Sequence, residues 1–168
     1  MSNTIRTLLL AALLSGAASP ATAASASTSC SSRAARPAIL FRVTGFKQQT
    51  GLVNVWVYGS NTKDFLVRDK RILRLQFPVP SAGPMEVCIA ILGPGRYAIA
   101  AHHDLDSNDK RDISDGLGFS GNPRLSLMRL KPSYAQTSFV VGNSVHRVDL
   151  VLRYRAGLSI KPISPRAR

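Results

Sequence analysis

The sequence predicts an all-β fold, and three observations carry that expectation. Apolar residues alternate with polar ones or gather in short runs of strand length; Gly, Pro, Asn and Asp bound these runs; and nothing repeats its apolar residues at helical spacing over three turns. With 45% hydrophobic residues in a chain of 168, there is enough apolar surface for a core. Roughly seven to eight strands separated by turns fit a β-sandwich, here with one long Asp-rich loop.

The expected strands follow in order. Residues 38–46 place Ile39, Phe41 and Val43 on one face, and 51–59 do the same with Val53, Val55 and Val57. Residues 63–68 form a short third strand, and 71–79 alternate through Leu73, Leu75 and Phe77. Next come 86–92 (Val87, Ile89, Ile91), 96–103 (Tyr97, Ile99, Ala101), 137–142, and 145–154 (Val148, Leu150, Leu152, Tyr154). Gly93-Pro94-Gly95 puts Pro and Gly at the central positions of a type II turn, and Gly142-Asn143 reads as a tight hairpin between the last two strands. The connection 104–136 is long enough that it must be functional or tied down.

Outside the sandwich domain, expected over 38–155, the chain changes character. Residues 1–23 hold one charge, Arg6, then an apolar run over 7–18 and Ala21-Thr22-Ala23, the layout of a secretory signal peptide cleaved before Ala24. The run is shorter than the ~20 residues that span a bilayer, so the mature chain is expected without a transmembrane segment and in the periplasm or secreted. Ser27-Thr28-Ser29 before Cys30 lacks the apolar residue of a lipoprotein box. Residues 24–37 form a Ser/Ala-rich lead-in and 156–168 a basic C-terminal tail.

The whole chain is +13; without Arg6 it has 21 basic and 9 acidic residues, a formal +12. Five of the nine acids fall within 104–115, which with Lys110 and Arg111 is net −3, against +15 for the rest of the mature chain. A basic exported body points to anionic envelope polymers or lipid as partners. Its cations are scattered, Lys70-Arg71-Arg74 being one loose group, and no aromatic residues are interleaved with them as a nucleic-acid stacking platform requires.

Two cysteines remain after signal removal. Cys30 and Cys88 either form one disulfide, worth ~2–4 kcal/mol, or leave Cys88 buried as a small apolar residue.

The acidic segment has calcium-loop spacing. Asp104, Asp106, Asn108, Asp112 and Asp115 stand at positions 1, 3, 5, 9 and 12, and Lys110 at position 7 would give its backbone carbonyl. A cation would relieve the repulsion among these carboxylates. Two departures stand out: Asp109 occupies position 6, where an EF-hand has Gly, and Asp115 is shorter than the usual Glu. Neither flank is helical, and the alternative is a hydrogen-bonded, Asx-rich turn with no ion. Phe119, the first large aromatic after these residues, is expected to pin the loop by burying its ring.

Catalytic patterns are weaker. His102 and His103 are adjacent on a strand and face opposite ways, His146 is distant, and no three-ligand zinc spacing is present. There is no nucleophile elbow or phosphate-cradling Gly-rich loop, so a non-enzymatic role is expected.

The stretch from Gly95-Arg96-Tyr97 through His103-Asp104-Leu105-Asp106-Ser107-Asn108, then Lys110, Asp112, Gly116, Gly118-Phe119-Ser120 and Pro132-Ser133-Tyr134, resembles the exported bacterial family called domain of unknown function 2141. Tyr134 stands where Phe is commoner, and Gly121-Asn122 where an Asn pair is usual. The resemblance implies an immunoglobulin-like or transthyretin-like sandwich in the periplasm or outside the cell, with no established activity. The sequence therefore points to an exported envelope protein with a calcium-stabilised loop. The alternatives are a module docking envelope polymers through its basic surface and a small metal-dependent enzyme using His102 or His103.

Overall fold

The computed structural model describes Cys30 and residues 37–163. The expected signal peptide, most of the lead-in and residues 164–168 lie outside the described residues.

Alternation sorts side chains between faces from the first strand on. β1, Ala38–Thr44, buries Ile39, Phe41 and Val43 and exposes Arg42. It sits centrally in a three-stranded sheet, antiparallel to β4, Met85–Ala90, and parallel to β8, Val145–Val151. The second sheet is built on β5, Gly95–Asp104, which pairs along one edge with β2, Leu52–Tyr58, itself paired with β3, Leu73–Pro78. Two short strands share the other edge of β5: β7, Ser138–Val141, on its first half, and β6, Gly116–Phe119, on its second. β9, Arg153–Ala156, continues beyond β6, and β10, Ser159–Pro162, closes that side.

The chain is thus all-β, in two layers. The inner faces meet in a core that includes Phe41, Val43, Val55, Ile99 and Leu150, each fully buried. Burial on that scale is worth ~1.5–3 kcal/mol per large side chain. A second cluster covers the outer face of the larger sheet, where Tyr58, Ala98, Ala100, Phe119, Leu125 and Tyr134 pack under the segments that follow β2 and β6.

Several local expectations give way to this second cluster. Residues 63–68 are not a strand: 3₁₀ turns at Thr62–Asp64 and Arg68–Lys70 replace it, Asn61 Oδ1 caps the first by accepting the Lys63 N–H, and Leu66 has φ +62°. Their product is Phe65 and Leu66 packed onto the outer cluster. The long connection contains β6 and a single helical turn, α1, Tyr134–Thr137, closed by a reciprocal Ser133–Gln136 capping box.

The expected strand 145–154 divides at Leu152, whose N–H donates to Thr44 O at 2.9 Å before the chain crosses into the other sheet as β9. Gly142-Asn143 therefore joins strands of different sheets and is not a hairpin. Nor is Gly93-Pro94-Gly95 a type II turn. Gly95 lacks the left-handed φ that type requires, and the Tyr97 hydroxyl holds the turn by donating to Gly93 O at 2.6 Å. In the C-terminal segment read as a tail, 159–162 form β10. Cys30 and Cys88 are joined in a disulfide, with Cα atoms 5.3 Å apart.

Candidate acidic hairpin site

The acidic segment is the turn of the β5–β6 hairpin, whose last pair is His103 opposite Gly116. Its geometry begins with what ends β5. Asp104 is buried at the strand terminus, and its two carboxylate oxygens accept the backbone N–H groups of Asn108 (3.2 Å) and Asp109 (2.9 Å). That bends the chain back on itself as an extended Asx turn. Ser107 and Asp109 have φ of +59° and +58°. Asp109 therefore makes the left-handed turn for which an EF-hand uses Gly, a conformation Asp tolerates better than most residues, and Arg74 holds its carboxylate at 3.2 Å.

Asp115 closes the turn from the other side. Its Oδ1 accepts the Leu105 N–H at 3.3 Å, and its Oδ2 accepts the Asp112 N–H and the His102 Nε2–H, each at 2.9 Å. Burial pushes the Asp115 pKa up, but the N–H groups of Asp112, the His102 ring and Leu105 outweigh burial and hold the carboxyl below its ordinary value. The group is an anion inside the protein.

The structure brings carboxylate oxygens of Asp104, Asp106 and Asp115 within 4.8 Å of one another. The other three candidates are placed differently. The Asn108 Nδ2 group donates to Asp106 Oδ2 (2.8 Å) and Asp112 Oδ2 (2.7 Å), while its Oδ1 accepts the Lys110 N–H at 2.7 Å. Asn108, Lys110 and Asp112 are thus linked to one another, and Asn108 presents its amide N–H to the carboxylates. Each carboxylate oxygen has two acceptor directions, so Asp104 and Asp106 keep capacity beyond the bonds described, whereas both directions of Asp115 Oδ2 are filled.

The two histidines point to opposite faces. His103 is fully buried toward the core; a carbonyl can only accept, so Nε2, 2.8 Å from Thr50 O, carries the proton, and Nδ1 accepts from the Tyr154 hydroxyl at 2.6 Å. Burial keeps the His103 pKa below its usual value despite the Thr50 carbonyl, and burial likewise raises that of Tyr154. Gly116 fits this arrangement because a Cβ there would lie 2.6 Å from the Tyr154 ring. His102 lies on the outer face, stacked on Trp56 at 6.0 Å between centroids. His146 is elsewhere, stacked on Phe139.

Other motif residues prove architectural. Ser120 is fully buried, its Oγ accepting the Ile99 N–H at 2.8 Å and lying 2.6 Å from Thr137 O. Tyr134 reaches Gly59 O at 2.8 Å, and Asn122 accepts the Val151 N–H at 2.7 Å. Phe119 is buried in the outer cluster, as expected of a residue that pins the loop.

Sequence reading missed the residues gathered around Trp56. Arg74 lies directly across from it on β3, the guanidinium carbons of Arg71 and Arg111 stand 4.4 and 5.9 Å from its ring centroid, and Arg68 and Lys110 line the same hollow. The β2–β3 register pairs Trp56 with Arg74, while Arg111 arrives only through the hairpin turn.

Fold and site together define a two-layer all-β domain carrying a buried-anchor acidic hairpin. The chain belongs to the family described as "Uncharacterized protein conserved in bacteria (DUF2141)", whose model matches residues 41–149, from β1 to within β8. No curated protein and no solved structure matches it.

Proposed function

We propose that this is an exported, non-enzymatic bacterial envelope protein whose β5–β6 hairpin is stabilised by a bound calcium ion. The observation that carries this reading is the convergence of Asp104, Asp106 and Asp115, two of them buried, within 4.8 Å. Three carboxylates held so close repel one another unless a cation lies among them, and hard oxygen donors of this kind suit Ca²⁺. The left-handed Asp109 supports it further, since position 6 makes its turn without Gly. Asp104 and Asp106 would hold the ion, with Asp115 through its less engaged Oδ1. Asn108 would join by rotating its amide, and Lys110 would add its carbonyl. Asp112 is released to the ion, directly or through water, once Asn108 turns.

Export is supported by the leader-like first 23 residues and by the Cys30–Cys88 disulfide, a bond that persists in oxidising compartments. A metalloenzyme using the histidine pair finds less support, because His103 is engaged at both nitrogens and His102 is bound to Asp115.

The test is thermal unfolding of the mature domain with and without calcium. Calcium at 100 times its dissociation constant should stabilise the fold by about 2.7 kcal/mol, chelator should reverse this, and Asp106→Asn, an exposed substitution, should remove the response. Melting indifferent to calcium and chelator would leave the hydrogen-bonded turn as the whole account.

A further inference from the structure

The outer face of the larger sheet holds a second feature that needs no calcium. Two hollows meet at Trp56, Arg71 and Arg111. One, about 250 Å³, is polar and carries five cations, Arg68, Arg71, Arg74, Lys110 and Arg111, against one carboxylate, Asp109. The other, about 130 Å³, has Leu66, Leu117, Phe119 and Leu130 on its apolar side, with Lys131 and the shared Arg71 and Arg111 on its charged side. Among the described residues Arg74 is paired with Asp109, while Arg68, Arg71, Lys110 and Arg111 make no ion pair.

Two further observations mark this junction. Among the described residues, Trp56 Nε1 is buried with no hydrogen-bond partner. A buried donor left unpaired is costly, and an acceptor supplied by a ligand removes the cost. Arg71 lies over the Trp56 ring with Nε donating to Tyr58 Oη at 3.4 Å, which leaves its two terminal amino groups for another acceptor. A guanidinium stacked on an aromatic face keeps its in-plane N–H fork available for a tetrahedral oxyanion.

We infer that the cleft around Trp56 is a binding site for a phosphoryl oxyanion, held by Arg71, Arg74 and Arg111, with an apolar part of the same ligand entering the smaller hollow. Phosphate is favoured over a single carboxylate because it carries up to two negative charges and three terminal oxygens, matching a cleft with four cations in excess. The same chemistry is offered by a free phosphorylated metabolite and by a phospholipid headgroup.

The chain has one tryptophan, so its fluorescence reports on this cleft directly. The mature, oxidised protein is titrated in chelator at constant ionic strength, so that the result is independent of the calcium reading, with inorganic phosphate, with chloride, and with vesicles of phosphatidic acid in phosphatidylcholine. A saturable response to inorganic phosphate that chloride does not reproduce supports the site for a free phosphoryl group. A response to phosphatidic acid vesicles alone, absent with phosphatidylcholine, assigns it to a headgroup. In either case the Arg71→Gln/Arg111→Gln double variant, with its fold verified by circular dichroism, should bind at least about tenfold more weakly. No saturable response to either probe, an equal response to chloride, or full retention in the double variant overturns the inference and leaves these cations as counter-charges to the acidic turn.

Discussion

His102 and His103 are neighbours on β5, yet they belong to two differently built regions. On the inner face His103 is locked between Thr50 and Tyr154, the Tyr154 hydroxyl also accepts the Lys47 N–H, and the Phe46 ring packs edge-on against the imidazole at 5.3 Å between centroids. On the outer face His102 leads to Asp115 and the acidic turn on one side and to Trp56 with its arginines on the other. The inner face satisfies its polar groups internally, as buried groups must. Among the described residues, the outer face keeps crowded carboxylates, cations without an ion-pair partner and two unpartnered donors, Asn54 Nδ2 and Trp56 Nε1. The difference teaches that adjacent residues of one strand can sit in unlike surroundings, His103 with both ring nitrogens bonded inside the core and His102 beside charged groups gathered on the outer face.

The largest effect that would blur this division is Phe119→Ala. Phe119 is on the outer face but buried, and its loss should cost about 3–5 kcal/mol, measured by denaturant unfolding. Because β6 forms the return arm of the acidic hairpin, the variant should also weaken any calcium response while leaving every ligand in place. An unchanged unfolding midpoint would show that the outer cluster contributes little to the fold.

A smaller effect is expected from Gly116→Ala. The new methyl meets a Tyr154 ring fixed by hydrogen bonds to His103 and Lys47, so overpacking should cost about 1–3 kcal/mol. Tyr154→Phe combined with Gly116→Ala should not restore stability, since the clash is with ring carbons; restoration would place the strain at the hydroxyl instead.

The smallest effect is a pH dependence of the inner face. Burial raises the Tyr154 pKa above the ordinary 10.0, so the folded state keeps a phenolic proton that the unfolded chain has lost. The associated stability is complete below pH 10 and disappears as pH rises from there toward the higher folded value. Tyr154→Phe should flatten this alkaline limb, read from unfolding free energies between pH 9 and 11; a limb of unchanged slope would mean that other groups govern it.

How far the sequence revealed these regions depends on which face is considered. The inner-face alternation of β1, β2, β4 and β5 was legible because aliphatic side chains of period two have one destination, the core. β6 was hidden because Gly116 and Gly118 have low strand propensity, although they alternate with Leu117 and Phe119 and face Tyr154 and Leu152. The division of 145–154 at Leu152 leaves no local mark, since a strand that changes sheets keeps its alternation. Spacing put Asp104, Asp106, Asn108, Lys110, Asp112 and Asp115 on an equal footing; that the carboxylates of Asp104, Asp106 and Asp115 converge while Asp112 is bonded to Asn108 depends on the turn's own geometry. The Trp56 cleft joins residues from β2, the segment before β3, β3 itself and the hairpin turn, and only strand register unites them.

The calcium reading rests on one count that can be made directly. Protein recovered with its disulfide intact, stripped with chelator and dialysed against calcium should bind one ion per chain by elemental analysis, and Asp106→Asn should bind none under the same conditions. Wild-type protein that retains no calcium above the dialysate would contradict the account and assign the acidic turn to its hydrogen bonds alone.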